Sequence, residues 1–374
     1  MQRVVVLGAG MVGSAIAVDL HKQYDVTSVD VNRSHLKPLD EYYQINTITE
    51  NLSDPAAISA IIKDVDIVIS AVPGSMGFNT LKTIIENGKN VVDIAFFPED
   101  PFDLDELAKE KSVIAIVDCG VAPGMSNLLL GYHHRRMTVD SFECLVGGLP
   151  VKRILPYQYK APFSPSDVIE EYLRPARFVE NGRIVEKEAL SDPEYVDIDP
   201  LGTLEAFNTD GLRSLIKTVN VPNMKEKTLR YPGHIDIIRV LRETGFFDKK
   251  PIDVKGQKIS PLDLSSALLF RMWDLGADEE EITVMRITIS GVEKGHPRTY
   301  VYNMVDRYDK TTKTSSMART TGYTCSAAAN LVLHGKFNRT GICPLEYLGE
   351  KGDHINFIME YLKDRNIIYD VRVV

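Results

Sequence analysis

The chain has 374 residues, of which 44% are hydrophobic and 25% are charged, an ordinary composition for a globular protein. Its 43 basic and 52 acidic residues give a net charge of −9, and the acidic residues are dispersed. Because nucleic-acid phosphates are bound by clustered Lys and Arg, this distribution argues against a nucleic-acid partner. The apolar runs are too short to span a bilayer, and the sequence opens on a strand without a basic leader. We therefore expect a cytoplasmic protein of two domains with no membrane association.

The cysteines are widely separated and form no C-x-x-C or Cys/His spacing typical of zinc sites. We expect them to be buried free thiols, and we expect no metal site. They are Cys119, Cys144, Cys325 and Cys343.

Strand-like and helix-like segments alternate through the first 120 residues. Segments rich in β-branched residues, such as RVVVLGAG and VIAIVDCG, are separated by amphipathic segments such as GFNTLKTIIENG. Near-continuous apolar strands between such helices indicate a parallel sheet covered on both faces. We therefore predict a doubly wound α/β domain of the Rossmann type over residues 1–122.

The pattern then changes to that of an α+β domain. SFECLVGGLP is typical of an antiparallel strand, Asn181-Gly182 of a hairpin turn, and VEKGHP separates two strands of a second hairpin. Ser164 and Pro165 are typical of the cap and first turn of a short helix. We predict a second domain, residues 123–314, with one antiparallel sheet and helices on one face. Helical periodicity returns in SSMARTTGYTCSAAANLVLHG.

A glycine-rich turn, G-A-G-M-V-G, separates the first predicted strand from the first helix. In a dinucleotide-binding turn of this form, Gly8 makes the tight turn, Gly10 leaves room for the pyrophosphate, and Gly13 lets the helix pack on the sheet. The pyrophosphate then meets free N–H groups at the helix N-terminus. Asp30 ends the second strand, where it would accept the ribose hydroxyls, whereas Arg33 lies close enough to hold a 2′-phosphate. We expect NAD as the cofactor, with NADP as the alternative.

Further cofactor contacts are expected from this turn and from the segment SAVPG, which ends a later strand. Ligands gather at the carboxyl ends of parallel strands, and SAVPG would present backbone rather than side chains to the nicotinamide. The expected contacts are Met11 and Val12 in the turn, and Ala71, Val72 and Pro73 in SAVPG.

The stretch VDCGVAPGMSN ends the alternating region. Asp118 follows the last predicted parallel strand, on the edge where the nicotinamide would lie. Gly124 supplies freedom for the turn, and Ser126 and Asn127 are typical caps of the next helix. Because ligand pockets form where two domains meet, we expect this hinge to be the floor of the active-site cleft.

Six segments occur in order: the glycine turn, VAPGMSN, VGGLP, EAFNTDG, TLRYPGH and GICPLE. Together they resemble the saccharopine dehydrogenase-like family over essentially the whole chain, and within it the pattern is most similar to that of L-lysine 6-dehydrogenases. The resemblance implies NAD-dependent oxidation of the lysine ε-amino group to allysine, which cyclises. It also implies a homodimer formed through residues 123–314, and C-terminal helices, residues 315–374, that pack back on the first domain.

Three positions depart from the pattern of the glutamate-forming saccharopine reductases. Where that pattern has Tyr, Cys and Asp, this chain has Phe96, Val146 and Ala122. These apolar residues match the lysine dehydrogenase-like pattern, and they argue against saccharopine as the substrate.

Oxidation of an amine needs a base, since the ammonium must lose a proton before hydride leaves and a water must later attack the iminium. His234 follows a Pro-Gly turn at the expected start of a helix and is one candidate. Asp118 is also expected to contribute to the chemistry. Asp210 or Glu205 would hold the ε-ammonium or orient the histidine. No spacing selects one of these residues as the base.

An amino-acid substrate also needs a cation for its carboxylate, ideally an arginine that binds both oxygens. Arg213 follows a Gly turn in NTDGLRS and is the first candidate, with Arg230 and Arg174 as alternatives. All three arginines lie in or beside segments that flank predicted loops of the second domain. We expect at least one of them to bind the carboxylate.

We therefore predict an NAD-dependent dehydrogenase that acts on the C–N bond of an amino acid, with the ε-amine of L-lysine as the expected site. A saccharopine or carboxynorspermidine-type dehydrogenase is one alternative, because three arginines would permit a larger dicarboxylate. An alternative from another class is a non-catalytic NAD-binding regulator.

Overall fold

The structure, a computed structural model, describes residues 1–163, 165–276 and 279–374. Strands and helices alternate through the first part of the chain, as the sequence predicts. Its strands are β1 (Arg3–Leu7), β2 (Asp25–Asp30), β3 (Asn46–Thr49), β4 (Ile67–Ser70), β5 (Val91–Asp93) and β6 (Ile114–Val117). Its helices are α1 (Met11–His21), α2 (Arg33–Tyr43), α3 (Pro55–Ile61), α4 (Gly74–Glu86) and α5 (Asp105–Glu110), with a short 3-10 helix at Pro101–Leu104.

Two of these elements, α2 and β3, have no counterpart in the sequence prediction. Pro38 lies inside α2, where it removes a backbone donor, and β3 is a short strand with mostly exposed side chains. Helix α2 is nevertheless capped, because the Asn32 side chain accepts a hydrogen bond from the Ser34 N–H.

The middle of the chain supplies a second sheet, the helices around it and a separate two-stranded sheet formed by residues 252–254 and 257–259. Its strands are β7 (Thr138–Pro150), β8 (Ala176–Glu180), β9 (Arg183–Lys187), β10 (Glu194–Ile198), β11 (Gly202–Asn208), β12 (Asn223–Arg230), β13 (Ile252–Val254), β14 (Gln257–Ile259), β15 (Glu281–Glu293) and β16 (His296–Arg307). Its helices are α6 (Met125–His134), α7 (Pro165–Leu173), α8 (Leu215–Thr218), α9 (His234–Glu243) and α10 (Pro261–Trp273). Helix α7 begins at Pro165 as predicted, whereas the predicted cap Ser164 lies outside the described residues.

The last part of the chain contributes to both sheets. Its elements are α11 (Ser316–Leu333), β17 (Gly341–Pro344), α12 (Leu345–Gly349), α13 (Gly352–Lys363) and β18 (Asp370–Val373). Strand β17 pairs with β6 in the first sheet, and β18 pairs with β16 in the second. The sequence prediction places helices in this part and does not include these two strands.

The first sheet has seven parallel strands in the order β17-β6-β5-β4-β1-β2-β3. Strands β4 and β6 are buried along their whole length, as expected when helices cover both faces. The strand order reverses beside β1, which lies between β4 and β2. Open α/β sheets bind ligands at such a reversal, beyond the carboxyl ends of the strands.

The second sheet is mixed rather than purely antiparallel. Its main path runs β10-β11-β12-β7-β15-β16-β18, with the β8-β9 hairpin attached to β12. Strand β7 pairs antiparallel with β15, as expected, but parallel with β12. The parallel register places Val146 beside Thr228. The two predicted hairpins are present, and Asn181 and Gly182 turn the first with positive φ angles of 51° and 75°.

Helix α11 lies between the two sheets. Nearly all of its residues are buried, and it packs against α1 and α13 as well as β5 and β15. One continuous hydrophobic core therefore extends from Val4 and Ile116 of the first sheet, through Ala328 of α11, to Ile287 and Met304 of the second. Across the described ranges, no helix combines the length and the apolar character needed to cross a bilayer. The four cysteines are buried and free, as predicted.

Candidate active site

A cavity of about 700 Å³ lies between the two sheets. It starts at the carboxyl ends of the first sheet's strands, where the strand order reverses, and ends against β7, β12 and α7 of the second. Residues from both sheets and from α11 line its wall. The cavity is therefore the place where a dinucleotide and a second small molecule could meet.

The glycine turn has the geometry that its sequence predicts. A Cβ on Gly8, whose φ is +101°, would overlap the backbone oxygen of Ala71, and a Cβ on Gly13 would overlap the oxygen of Gly8. At Gly10, by contrast, a Cβ would meet no atom within 4 Å. Two glycines thus permit close packing of β1, β4 and α1, while Gly10 leaves open space at the helix N-terminus. A pyrophosphate fits this space.

Asp30 is the last residue of β2 and lines the cavity. Its carboxylate accepts hydrogen bonds from the backbone N–H groups of Ala9 and Asn32, both at 2.7 Å. The Nδ1 atom of His35 lies 3.6 Å from Asp30 Oδ2, and His35 also lines the cavity. Arg33, the first residue of α2, is exposed and is absent from the lining, so the structure does not place it where we expected it.

The middle of the cavity is mainly apolar. The cofactor contacts predicted from the glycine turn and from SAVPG all line it, as do the three residues that depart from the saccharopine reductase pattern. These residues are Met11, Val12, Ala71, Val72, Pro73, Phe96, Ala122 and Val146. The three departures therefore lie in the cavity wall, where polar side chains would change what it can bind.

Asp118 and Arg213, both predicted site residues, form a buried ion pair. Arg213 Nη2 lies 3.0 Å from Asp118 Oδ1, Nε lies 3.2 Å from both carboxylate oxygens, and Nη1 donates to the Phe97 oxygen at 2.6 Å. Asp118 lines the cavity, whereas Arg213 is behind the wall. Arg213 thus neutralises Asp118 and is not placed to bind a substrate carboxylate.

Arg174 is the predicted arginine of the cavity wall that has a donor without a protein partner. It stacks on Phe96, with its guanidinium carbon 4.8 Å from the ring centroid. Its Nη1 atom is buried, and among the described residues it has no hydrogen-bond partner. Burial, followed by the proximity of Arg213, lowers the pKa of Arg174. A buried cationic donor without a partner is costly, so this atom is suited to receive a carboxylate.

Arg230 also lines the cavity, but its donors have partners in the protein. Its Nη2 contacts Glu171 Oε2 at 3.1 Å, Nε donates to the Tyr172 hydroxyl at 3.4 Å, and Nη1 donates to the Leu229 oxygen. Asp210, another predicted site residue in the lining, is likewise paired: Arg177 donates to both of its oxygens, at 2.9 and 2.8 Å.

His234 opens α9 as predicted, but it does not line the cavity. It is fully buried, its Nε2 is 2.9 Å from the Tyr172 hydroxyl, and its Nδ1 is 2.8 Å from the Tyr157 oxygen. Burial, and after it the charge of Arg230, lowers the pKa of His234 to about 3. Both ring nitrogens are engaged inside the protein and His234 does not line the cavity, so the structure does not support its direct contact with a substrate.

Glu205 is also absent from the cavity wall. Its Oε2 accepts a hydrogen bond from the backbone N–H of Gly233 at 3.1 Å, just before α9. The expected contact with a substrate ammonium is therefore not supported, because this carboxylate accepts a hydrogen bond from the backbone at the start of α9.

Sequence reasoning missed Glu226. Side chains alternate along β12, so Glu226, Thr228 and Arg230 project from one face, and all three line the cavity. Glu226 is 4% exposed, and its Oε2 is buried without a hydrogen-bond partner in the part of the chain that the structure describes. Burial, followed by the nearby carboxylates of Glu171, Asp210 and Asp118, raises the pKa of Glu226 to about 8. The alternation of side chains along the strand that contains Arg230 was the sequence signal that could have identified Glu226.

One face of α7 was also missed. Asp167, Glu170 and Glu171 within α7 and Arg174 directly after it recur at three- and four-residue spacing, and all of them line the cavity. The helical spacing in SPSDVIEEYLRP was sufficient to group these residues, although not to show which way they face.

The stretch after β6 does form a floor of the cavity. Gly120, Ala122 and Pro123 line it, and Gly124, with φ +145°, lies where a Cβ would overlap Gly120. Asn127 caps α6 as predicted, because its Oδ1 accepts from the Gly124 N–H at 3.1 Å. Ser126 donates to the same oxygen rather than capping the helix itself.

The parallel sheet and its glycine turn have the form of a dinucleotide-binding domain, which packs against a second, mixed sheet. The chain belongs to the saccharopine dehydrogenase family. Residues 4–116 match the family described as Saccharopine dehydrogenase NADP binding domain, and residues 120–368 match the family described as Saccharopine dehydrogenase C-terminal domain.

The individual proteins that the chain resembles share only low sequence identity with it. A carboxyaminopropylagmatine dehydrogenase of Synechocystis is 23% identical over 382 residues, covering 92% of each chain. An α-aminoadipic semialdehyde synthase of Arabidopsis thaliana is 27% identical over 259 residues, which are 63% of this chain and 24% of that protein. The apo structure of saccharopine dehydrogenase (L-Glu forming) from Saccharomyces cerevisiae superimposes with a TM-score of 0.81 at 20% identity, covering all of both chains. The last comparison shows the shared fold.

Proposed function

We propose that this protein oxidises the ε-amino group of L-lysine to allysine with NAD. A bound nicotinamide supplies the hydride acceptor for such an oxidation. The chain's own residues would bind the substrate carboxylate, hold its ammonium end near the nicotinamide side of the cavity, and remove a proton. Relatives whose names describe dehydrogenases of amino-acid derivatives support this class of reaction.

The observation that carries the proposal is the pairing of charges in the cavity. Among the described residues of the cavity wall, Arg230 is paired with Glu171, and Asp118 and Asp210 are paired with arginines behind it. Arg174 keeps a buried donor without a partner. A single arginine with a free donor suits a substrate with one carboxylate, such as lysine, better than saccharopine, which has three.

The position of Asp30 favours NAD over NADP. Its carboxylate is held at the adenosine end by two backbone donors, and a 2′-phosphate there would face this negative charge. Arg33, the residue that would have favoured NADP, lies outside the cavity. His35 is the remaining cation candidate beside Asp30.

The direct test offers purified protein NAD or NADP together with L-lysine or saccharopine and follows reduction of the nicotinamide. We expect reduction with lysine and NAD, and much slower reduction with NADP. Reduction with saccharopine alone would overturn the proposed substrate, and binding of NAD without turnover of any amine would favour a regulator.

The variant Arg174→Met sharpens this test. We expect a KM for lysine raised by roughly tenfold or more, since a charge-assisted hydrogen bond contributes about 1.5–3 kcal/mol. With 1,5-diaminopentane, which is lysine without its carboxylate, wild type and variant should have similar KM values. Arg183→Met, at an exposed position of β9, is the matched control. Equal losses with both substrates would remove Arg174 from the carboxylate site.

A further inference from the structure

Glu226 is a buried carboxyl group at the cavity, and its Oε2 atom has no hydrogen-bond partner among the described residues. Three other carboxylates of the wall are matched by arginines: Asp118 by Arg213, Asp210 by Arg177, and Glu171 by Arg230. Glu226 has no such cation, although its Oε2 is buried. A buried polar atom without a partner costs stability, and such sites persist where function uses them.

The chain makes room for this carboxyl group. Gly211 has an ordinary backbone conformation, yet a Cβ at this position would overlap Oε1 and Cδ of Glu226. Glycine at position 211 is therefore needed for the space that the Glu226 carboxyl group occupies, and not for the conformation of a turn. The parallel pairing of β12 with β7 holds the strand itself, with Glu226 beside Cys144.

We propose that Glu226 is the group that accepts the proton from the substrate ammonium, and that Gly211 positions its carboxyl group. This role rests on the proposed function. In the step, an N–H bond of the ε-ammonium breaks, an O–H bond forms on Glu226, and the electron pair of the broken bond stays on nitrogen. The neutral amine that results is the form from which oxidation can proceed, and the carboxyl group later returns its proton to solvent.

The surroundings of Glu226 suit proton exchange near neutral pH. The charged and titratable groups that face it are Glu171 from α7, Asp210 and Arg213 from the segment after β11, Asp118 from the segment after β6, and Cys144 from β7. Burial and the surrounding carboxylates raise the pKa of Glu226 to about 8, so both of its protonation states are accessible between pH 7 and 9.

The test compares wild type with Glu226→Gln. For lysine oxidation, we expect kcat to fall by roughly a hundredfold or more, and the rise of kcat/KM with pH towards about 8 to disappear. Glu143→Gln is the matched control, since Glu143 lies on the neighbouring strand β7 and is paired with Lys225 outside the cavity. An unchanged pH profile in Glu226→Gln would overturn the proposal.

A binding measurement gives a readout that does not depend on turnover. Lysine is titrated by calorimetry at pH 7 into protein loaded with NADH, in two buffers of different ionisation enthalpy. An arriving ammonium favours the ionised form of Glu226, so wild type and Glu143→Gln should release protons on binding and Glu226→Gln should not. Equal proton release by all three proteins would overturn the assignment.

Gly211→Ala covers the case in which Glu226→Gln does not fold. The added methyl group must displace the carboxyl group, so we expect lower kcat and a shifted pH profile with Glu226 still present. Normal kcat in folded Gly211→Ala would overturn the positioning role. A wild-type protein that neither binds nor oxidises lysine would overturn the proposed function first, and this role with it. Failure of the Glu226 role alone gives a different result, in which the wild type oxidises lysine and Glu226→Gln oxidises it equally well.

Discussion

Individual residues in the cavity differ in how completely their polar atoms are satisfied. Arg230 and His234 have partners on each of their nitrogens, whereas Arg174 and Glu226 each keep a buried atom without one. Arg230 and His234, whose polar atoms all have partners, hold the wall in place. A ligand can pair with the other two residues: an anion with Arg174, and a proton or a cation with Glu226.

The raised pKa of Glu226 predicts a pH effect on stability. A carboxyl group whose pKa is higher in the folded state binds its proton more tightly there, so its ionisation destabilises the fold as pH rises from about 4.5 to about 8. Wild type should therefore lose free energy of unfolding relative to Glu226→Gln across this range. Urea denaturation of both proteins at pH 5 and pH 8 checks this, and a constant difference between them would contradict it.

At the scale of elements, the glycine turn was predictable because Gly8 and Gly13 each answer a local steric need and Gly10 leaves open space at the helix N-terminus. The parallel pairing of β12 with β7 was not, since strand direction depends on connections far along the chain. The faces of α7 and β12 follow from simple periodicities, but which face meets the cavity depends on how the two sheets pack. Sequence alone therefore identified Arg174 and Arg230 and missed Glu226.

The turn between β1 and α1 gives a matched pair of variants. Gly13→Ala should lower the free energy of unfolding by about 1–3 kcal/mol, because its methyl group would overlap the Gly8 backbone. Gly10→Ala should change stability by less than about 1 kcal/mol, because nothing lies within 4 Å of its Cβ. It should nevertheless weaken NAD binding by roughly tenfold or more by occupying the pyrophosphate space. Thermal unfolding measures the effect on stability, and calorimetric titration measures the effect on NAD binding. Normal NAD affinity in Gly10→Ala would contradict the assignment of this space to the pyrophosphate.

At the scale of the whole molecule, contacts between distant parts of the chain decide the roles of the candidate residues. Arg213 was the first candidate for the substrate carboxylate, yet the fold brings it to Asp118 at the end of the parallel sheet. Nothing local in NTDGLRS indicates that partner. The doubly wound sheet, its cofactor turn and the floor at Pro123 were predictable because their signals lie within short segments.

The buried Asp118–Arg213 pair joins the two parts of the molecule. Arg213→Met should lower the free energy of unfolding by about 3–5 kcal/mol, because it leaves Asp118 buried and uncompensated. The double variant Arg213→Met/Asp118→Asn should lose clearly less. Lys225→Met, which breaks an exposed pair, is the control and should cost at most about 1 kcal/mol. Equal losses in the single and double variants, measured by urea denaturation, would show that the charge of Asp118 is not the cause.

The last part of the chain adds an edge strand to each sheet, β17 beside β6 and β18 beside β16. During synthesis on the ribosome, β6 therefore emerges long before its final neighbour and presents unpaired backbone groups in the meantime. An exposed strand edge of this kind invites pairing with other chains. Long-range closure of this kind also slows folding. The nascent protein should thus depend on molecular chaperones until residues 341–344 have left the exit tunnel.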